Sequence, residues 1–263
     1  MTKNKREGCG KMKKDVLNPV YRHYKYVCSH YDEDRILGVF LYGSQNYALD
    51  NGDSDVDAKA IYIPTFKEVV FNKPISKELV LPSTGEHCEV KDIREFIRNL
   101  KKQNINFVET LFTSYFIINP KYKAIWEELI SRKELLARYD VAAGIKSMSC
   151  QALHTLKQIT EDLPHEKASK KLSNATRIIY FLERYIRGEE YSKCIIPEGD
   201  SYDLIYSMKM GKYQSSPFTI DVLKMILNNY IEGDYSYLVD EERKEALDEF
   251  LEYIILKSIK LNF

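Results

Sequence analysis

The stretch ILGVFLYGS at residues 36–44 is an apolar run that ends in a glycine and a serine. A short apolar run without polar alternation is typical of a strand buried on both faces. Gly43 lets the backbone approach a ligand closely, and free N–H groups at the start of a helical turn attract phosphate. The Ser44 hydroxyl can donate a further hydrogen bond. The stretch therefore predicts a buried strand that leads into a phosphate-binding turn.

A second stretch, SDVDAKAIYI at residues 54–63, follows a turn predicted at residues 50–53. It predicts another strand. Because residues two apart in a strand share a face, we expect Asp55 and Asp57 to project together toward the Gly-Ser turn. Two carboxylates this close repel each other unless a cation lies between them. Magnesium is the expected cation, since it prefers hard oxygen ligands and is usually held by one or two carboxylates and substrate phosphates.

The order of these elements resembles the nucleotidyltransferase superfamily of DNA polymerase β, whose signature is an apolar strand, Gly-Ser and a strand with Asp-x-Asp. More narrowly, residues 36–211 resemble a bacterial and phage group of predicted nucleotidyltransferases, some of which are associated with RNA repair. The narrower resemblance also rests on residues 92–97, 106–112, 170–177 and 187–189. The chain departs from that group at Ala48, where relatives often carry glycine, and at Asn174, where they often carry histidine.

The resemblance implies metal-dependent transfer of a nucleoside monophosphate from a nucleoside triphosphate to an acceptor hydroxyl, with release of pyrophosphate. It also implies two magnesium ions and a third metal-binding carboxylate on a neighbouring strand. Glu89, between two apolar residues of the predicted strand at 86–91, is the preferred candidate. Asp92 is the alternative, although its position also suits the N-cap of the following helix.

A long helix with an apolar stripe is predicted near residue 170, and the pattern is almost wholly helical from Lys121 onward. The stripe comprises Ala168, Leu172, Ala175, Ile179, Leu182 and Ile186. The resemblance implies that the nucleotide lies between this helical region and the sheet. Four residues of the helix are therefore expected to contact the triphosphate: Lys170, Lys171, Asn174 and Arg177. The alternative is an ordinary solvated polar face balanced by acidic residues.

The expected fold class is α+β, with a small mixed nucleotidyltransferase sheet and flanking helices followed by an all-helical C-terminal domain. We place the catalytic domain at residues 1–120 and the helical domain, which closes the nucleotide cleft, at residues 121–263. The catalytic sheet is expected to contain strands near 36–42, 55–63 and 86–91. Two helices are predicted at 18–30 and from residue 93, and a capping box starts a short helix after Thr65. Residues 72–84 are expected to form an irregular excursion.

Composition is that of an ordinary globular protein, with 44% hydrophobic and 30% charged residues. Lysine plus arginine and aspartate plus glutamate number 39 each, so the net charge gives no reason to expect nonspecific nucleic-acid binding. Five dispersed cysteines favour neither a disulfide framework nor a zinc site. The absence of a long apolar stretch or a signal-peptide pattern favours a cytoplasmic protein.

The acceptor, the preferred base and the oligomeric state stay open at this point. RNA, a protein side chain and a small molecule are all candidate acceptors. A different class of function is a catalytically silent nucleotide-binding or antitoxin-like module that keeps the fold. The intact pair of aspartates argues against that alternative, because a degraded site usually loses one of them.

Overall fold

A computed structural model describes residues 9–50, 54–212 and 216–262, with residues 9–16 described by their backbone alone. The predicted turn at 50–53 falls mainly on residues 51–53 and lies outside the described part. The chain forms a mixed five-stranded sheet with helices packed on it, and every regular element described after residue 120 is helical. This confirms the predicted α+β class. The division into domains at residue 120 stays a prediction.

The sheet has the strand order β3-β4-β2-β1-β5. Its strands are β1 (Ile36–Tyr42), β2 (Asp57–Tyr62), β3 (Ser76–Val80), β4 (His87–Asp92) and β5 (Phe116–Ile118). β2 runs antiparallel to β1 and parallel to β4, while both edge strands are antiparallel to their neighbours. The three predicted strands correspond to β1, β2 and β4. β2, however, begins at Asp57, so Asp55 lies before the strand.

Two strands are missing from the prediction. Residues 72–84 are not wholly irregular, because β3 forms an edge strand within them. Four of its five side chains are exposed, which explains why its sequence, SKELV, shows no apolar alternation. β5 has only three residues, too few for a periodicity to be recognised.

The helices contain the two predicted start signals. Their bounds are α1 (Cys9–Cys28), α2 (Phe66–Val70), α3 (Ile93–Lys101), α4 (Ile105–Val108), α5 (Lys123–Ile130), α6 (Lys133–Leu136), α7 (Val141–Lys157), α8 (His165–Ile186), α9 (Tyr191–Cys194), α10 (Gly199–Lys209), α11 (Pro217–Glu232) and α12 (Glu241–Lys260). The capping box of Thr65 and Glu68 starts α2, and Asp92 caps α3. α1 begins earlier than predicted.

The two faces of the sheet belong to different cores. Side chains alternate along β2, so Ala58 and Ala60 pack with α1 in the smaller core. Ile61 packs on the opposite face in the larger core, which also contains the buried stripe of α8. Asp57 and Lys59 share the face of Ile61, and they therefore lie on the side of the sheet that the later helices cover.

α8 is the central helix of the later part of the chain and packs against α7, α10 and α11. Its predicted apolar stripe is confirmed, with Leu172, Ala175, Ile179 and Leu182 buried. None of the helices in the described part of the chain combines the length and apolarity needed to cross a bilayer.

Candidate functional site

A cleft of about 300 Å³ lies between the end of β1 and helix α8. We call its two sides the sheet wall and the helical wall. The sheet wall comprises Tyr42, Gly43, Ser44, Asp55 and Asp57. The helical wall comprises Gln151, Lys170, Asn174, Arg177 and Lys209. Seven of the nine residues predicted for the site therefore line one cleft, and the exceptions are Glu89 and Lys171.

The Gly-Ser turn connects β1 to a short 3-10 turn at Ser44–Tyr47. Gly43 has a φ of 115°, a conformation that residues with a side chain rarely adopt. Ala48 ends the turn in the left-handed region, with a φ of 55°. The Asn46 amide donates to the carbonyl of Leu41 at 3.2 Å and holds the turn against the strand. The turn thus presents Ser44 to the cleft.

Asp55 and Asp57 line the cleft, Asp55 just before β2 and Asp57 as its first residue. Asp55 is exposed, while Asp57 is half-buried and its Oδ1 accepts from the His87 backbone N–H at 2.9 Å. Two carboxylates beside a serine hydroxyl form the hard-oxygen donor set that suits magnesium. Within the described ranges no three His, Cys, Asp or Glu side chains group as a metal site, so phosphate oxygens and water would have to complete the coordination.

Glu89 lies on β4 directly opposite Lys59 of β2 and forms ion pairs with Lys59 and Lys91. Burial acts to raise the pKa of Glu89, but the two ammonium groups outweigh it and hold that pKa below its usual value. Glu89 lines a second cavity of about 420 Å³, which also contains Asp57 and Tyr42 and so adjoins the main cleft. It lies near the aspartate pair but is already charge-compensated.

Asp92, the alternative third carboxylate, is at the far end of the sheet. It lies opposite Tyr62, whereas Asp57 is at the other end of β2, five residues away at about 3.3 Å each. Its carboxylate is fully buried and accepts hydrogen bonds from the Arg94 backbone N–H at 2.8 Å and from the guanidinium, at 3.0 Å from Nε and 2.6 Å from Nη2. Asp92 cannot share a metal ion with Asp55 and Asp57, and its role is that of the helix cap.

Arg177 is buried in the helical wall and paired within the protein. Its guanidinium lies 3.1 Å from Glu109 Oε1 and 3.7 Å from the centre of the Tyr47 ring, and the Tyr47 hydroxyl also donates to Glu109. Burial raises the pKa of Glu109, and the guanidinium opposes that shift by favouring the carboxylate. Because Glu109 already balances its charge, Arg177 offers no unpaired charge to a triphosphate, and its contact with the triphosphate stays a prediction.

The other predicted residues of α8 are placed differently from one another. Lys170 is exposed at the rim and forms an ion pair with Glu166 at 3.1 Å. Lys171 does not reach the cleft, because its Nζ donates to Gln158 Oε1 at 2.5 Å. Asn174 lines the cleft and accepts a long hydrogen bond of 3.4 Å from Arg177 Nη2.

Lys209 of α10 is a cleft residue that the sequence analysis missed. Its Nζ donates to the carbonyl of Leu49 at 2.6 Å, and burial lowers its pKa. On the same helix the Tyr202 hydroxyl donates to the carbonyl of Ala48 at 2.9 Å. α10 therefore holds the loop that follows the Gly-Ser turn. No sequence signal connects these partners, which are more than 150 residues apart.

The chain matches no protein-family model and no curated protein. Among solved structures it is similar to a nucleotidyltransferase-like protein from Exiguobacterium sibiricum 255-15, with 11% sequence identity. The match covers 82% of this chain and 74% of that chain, with a TM-score of 0.33. A likeness at this score carries no functional assignment, so the function has to be derived from the residues of the cleft.

Proposed function

We propose that the protein is a metal-dependent nucleotidyltransferase, which transfers a nucleoside monophosphate from a nucleoside triphosphate to an acceptor hydroxyl and releases pyrophosphate. The observation that carries this proposal is the meeting of three chemistries in one cleft. These are the carboxylates of Asp55 and Asp57, the Gly43-Ser44 turn and the ammonium groups of Lys170 and Lys209. A site that binds a triphosphate together with magnesium needs carboxylates for the metal, N–H and hydroxyl donors for the phosphates, and positive charge nearby.

Some residues of the sheet wall would bind the metal ion and others would bind phosphate. Asp55 and Asp57 would hold magnesium, and the Ser44 hydroxyl and nearby backbone N–H groups would bind the terminal phosphates. Lys170 and Lys209 would add positive charge from the helical wall. When bound, magnesium would lower the pKa of the acceptor hydroxyl and stabilise the departing pyrophosphate.

Glu89 remains our candidate for the third carboxylate, and with it a second magnesium ion. In support, it lines the cavity that adjoins the cleft at Asp57. An in-line displacement requires the acceptor to approach from the side opposite the leaving pyrophosphate, and under this proposal the acceptor would enter through the second cavity. For Glu89 to bind a cation, its carboxylate would have to exchange Lys59 or Lys91 for the metal.

The test uses nucleoside triphosphates labelled at the α-phosphate, incubated with the protein and separately with RNA, protein and small-molecule fractions. RNA is the first acceptor to try, because of the resemblance of residues 36–211 to a group associated with RNA repair. We expect label to enter one fraction only, together with pyrophosphate release. Label that enters no fraction, with no pyrophosphate formed, would contradict the proposal.

Asp57→Asn should reduce transfer by more than about 100-fold, because it removes a carboxylate ligand from the metal. Asp55→Asn should behave alike. Both variants should keep the free energy of unfolding to within about 1 kcal/mol, since neither leaves an unpaired buried charge. Urea unfolding checks the fold, and Glu245→Gln, which changes an exposed carboxylate of α12 away from both cavities, is the matched control. Undiminished pyrophosphate release by both aspartate variants would refute the assignment.

A second candidate function is that of a nucleotide-binding module without transfer. The pairing of Glu89 with Lys59 and Lys91 favours it, because it leaves two carboxylates rather than three available to a cation. Such a module would bind a triphosphate with little dependence on magnesium. Calorimetry with and without magnesium separates the two candidates.

A further inference from the structure

The residue between the two aspartates, Val56, lies just outside the ladder of the sheet. β2 pairs with β1 only from Asp57 onward, where Asp57 lies opposite Tyr42. The backbone groups of residues 54–56 therefore need partners other than a neighbouring strand, because buried peptide groups that lack hydrogen bonds are costly.

Side chains supply those partners. Gln45 Nε2 donates to the carbonyl of Asp55 at 3.0 Å and to that of Ser54 at 3.4 Å. His23 Nε2 lies 2.6 Å from the carbonyl oxygen of Val56, and Glu86 Oε1 accepts from the Val56 N–H at 3.4 Å. Three side chains thus hold three consecutive residues. We call Gln45, His23 and Glu86 the clamp.

His23 makes its shortest polar contact with Val56. It is fully buried on α1, and its Nε2 must carry the hydrogen because a carbonyl oxygen only accepts. Its Nδ1 has no hydrogen-bond partner in the described part of the chain. Because one ring nitrogen is unpaired, the bond to Val56 is the principal polar contact of this buried imidazole.

Glu86 is anchored on the side away from Val56. Its Oε2 accepts from the Thr84 hydroxyl at 2.9 Å and lies 3.5 Å from Arg22 Nη2. It is also 3.8 Å from His23 Nε2, so the two members of the clamp contact each other. Gln45 directly follows Ser44, and the clamp therefore ties the Gly-Ser turn to the aspartate segment.

We propose that Gln45, His23 and Glu86 are positioning residues that fix the separation of Asp55 and Asp57 before a metal ion arrives. This rests on the proposed function. Two neighbouring carboxylates repel, and a free segment would relax to move them apart. Bonds that orient ligands from outside the coordination shell typically change metal affinity about 10- to 100-fold when they are removed.

The test compares His23→Leu with His23→Gln, whose amide can place an N–H near the position of Nε2. A second pair is Glu86→Met, which removes the acceptor, and Glu86→Gln, which keeps one. Tyr24→Phe is the control, because it removes a hydrogen bond of the same helix, to Glu33 at 2.9 Å, that does not involve the aspartate segment. All variants are first checked by urea unfolding.

Two readouts need no turnover. Calorimetry measures magnesium binding in the presence of a triphosphate analogue that cannot react, and amide hydrogen exchange measures the opening of residues 55–57 in metal-free protein. We expect magnesium affinity to fall about 10- to 100-fold in His23→Leu and Glu86→Met. The two glutamine variants should stay within about threefold of the unmodified protein, and exchange should quicken only in His23→Leu and Glu86→Met.

Unchanged magnesium affinity and unchanged amide hydrogen exchange in a folded His23→Leu or Glu86→Met protein would overturn the proposal that the clamp positions the two aspartates. If His23→Leu does not fold, Glu86→Met and Gln45→Met give the answer. Failure of the proposed function looks different, because the unmodified protein would then transfer no label to any acceptor. Calorimetry and exchange would still decide whether the clamp holds the aspartate segment.

Discussion

The two walls of the cleft differ in whether their charged side chains have ion-pair partners. On the sheet wall, neither Asp55 nor Asp57 has an ion pair with a lysine or arginine among the described residues. On the helical wall, Arg177 is balanced by Glu109 and Lys170 by Glu166. Among the described residues the carboxylates of the sheet wall therefore lack a compensating cation, whereas the buried cation of the helical wall, Arg177, is already balanced within the protein.

This difference indicates how a triphosphate would be bound. Only Lys209 of the helical-wall cations, within the residues described, bonds to a carbonyl rather than to a carboxylate. Most of the compensation for the phosphate charge would then come from metal held by the sheet wall.

Arg177→Met should lower the free energy of unfolding by about 3–5 kcal/mol, because it leaves the buried carboxylate of Glu109 unpaired. Arg177→Met combined with Glu109→Met should recover part of that loss, since no buried charge then remains. Urea unfolding of the two proteins measures both. A folded Arg177→Met protein with undiminished stability but weaker nucleotide binding would show that Arg177 is a ligand residue rather than part of a balanced pair.

Lys209→Met should weaken triphosphate binding about 10-fold, the value of one charge-assisted hydrogen bond. Lys171→Met is the matched control, because Lys171 is on the neighbouring helix and points away from the cleft. Calorimetry provides the affinities. Equal losses in the two variants would mean a general effect of charge and not a contact from α10.

A pH series on the same proteins sharpens the result. Burial lowers the pKa of Lys209, so its charge is present below that lowered pKa and is lost as the pH rises through it. Triphosphate affinity in the unmodified protein should therefore fall with rising pH before an ordinary lysine would titrate. Lys209→Met should lack this fall, and an identical pH profile would contradict a role for the Lys209 charge.

Ala48→Gly should stabilise the protein by about 0.5–1 kcal/mol, because the left-handed conformation of Ala48 costs a residue with a Cβ more than it costs glycine. Ala246→Gly, at an exposed position inside α12, is the matched control and should destabilise by about 1 kcal/mol. Urea unfolding measures both. A destabilised Ala48→Gly protein would mean that the loop on the sheet wall does not carry this strain.

The sheet wall could be predicted from sequence because its signals are local. β1, the Gly-Ser turn and the aspartate pair each depend on residues within a few positions of one another. Of the helical wall, the residues of α8 could be predicted. Lys209 and the pairing of Arg177 could not, because Lys209 meets Leu49 across 160 residues and Arg177 meets Glu109 across 68. Tertiary packing decides whether a cation faces a ligand or a buried glutamate. The hydrophobic periodicity of α8 carries no information about those tertiary partners.

The most direct test of the central claim is the magnesium dependence of triphosphate binding. A non-reactive analogue is titrated by calorimetry into the unmodified protein and into the double variant Asp55→Asn and Asp57→Asn, each with excess magnesium and with a chelator. We predict that magnesium tightens binding at least about 10-fold in the unmodified protein and has no effect in the double variant. Binding that is equally tight with and without magnesium, or magnesium dependence that survives in the double variant, would contradict the account.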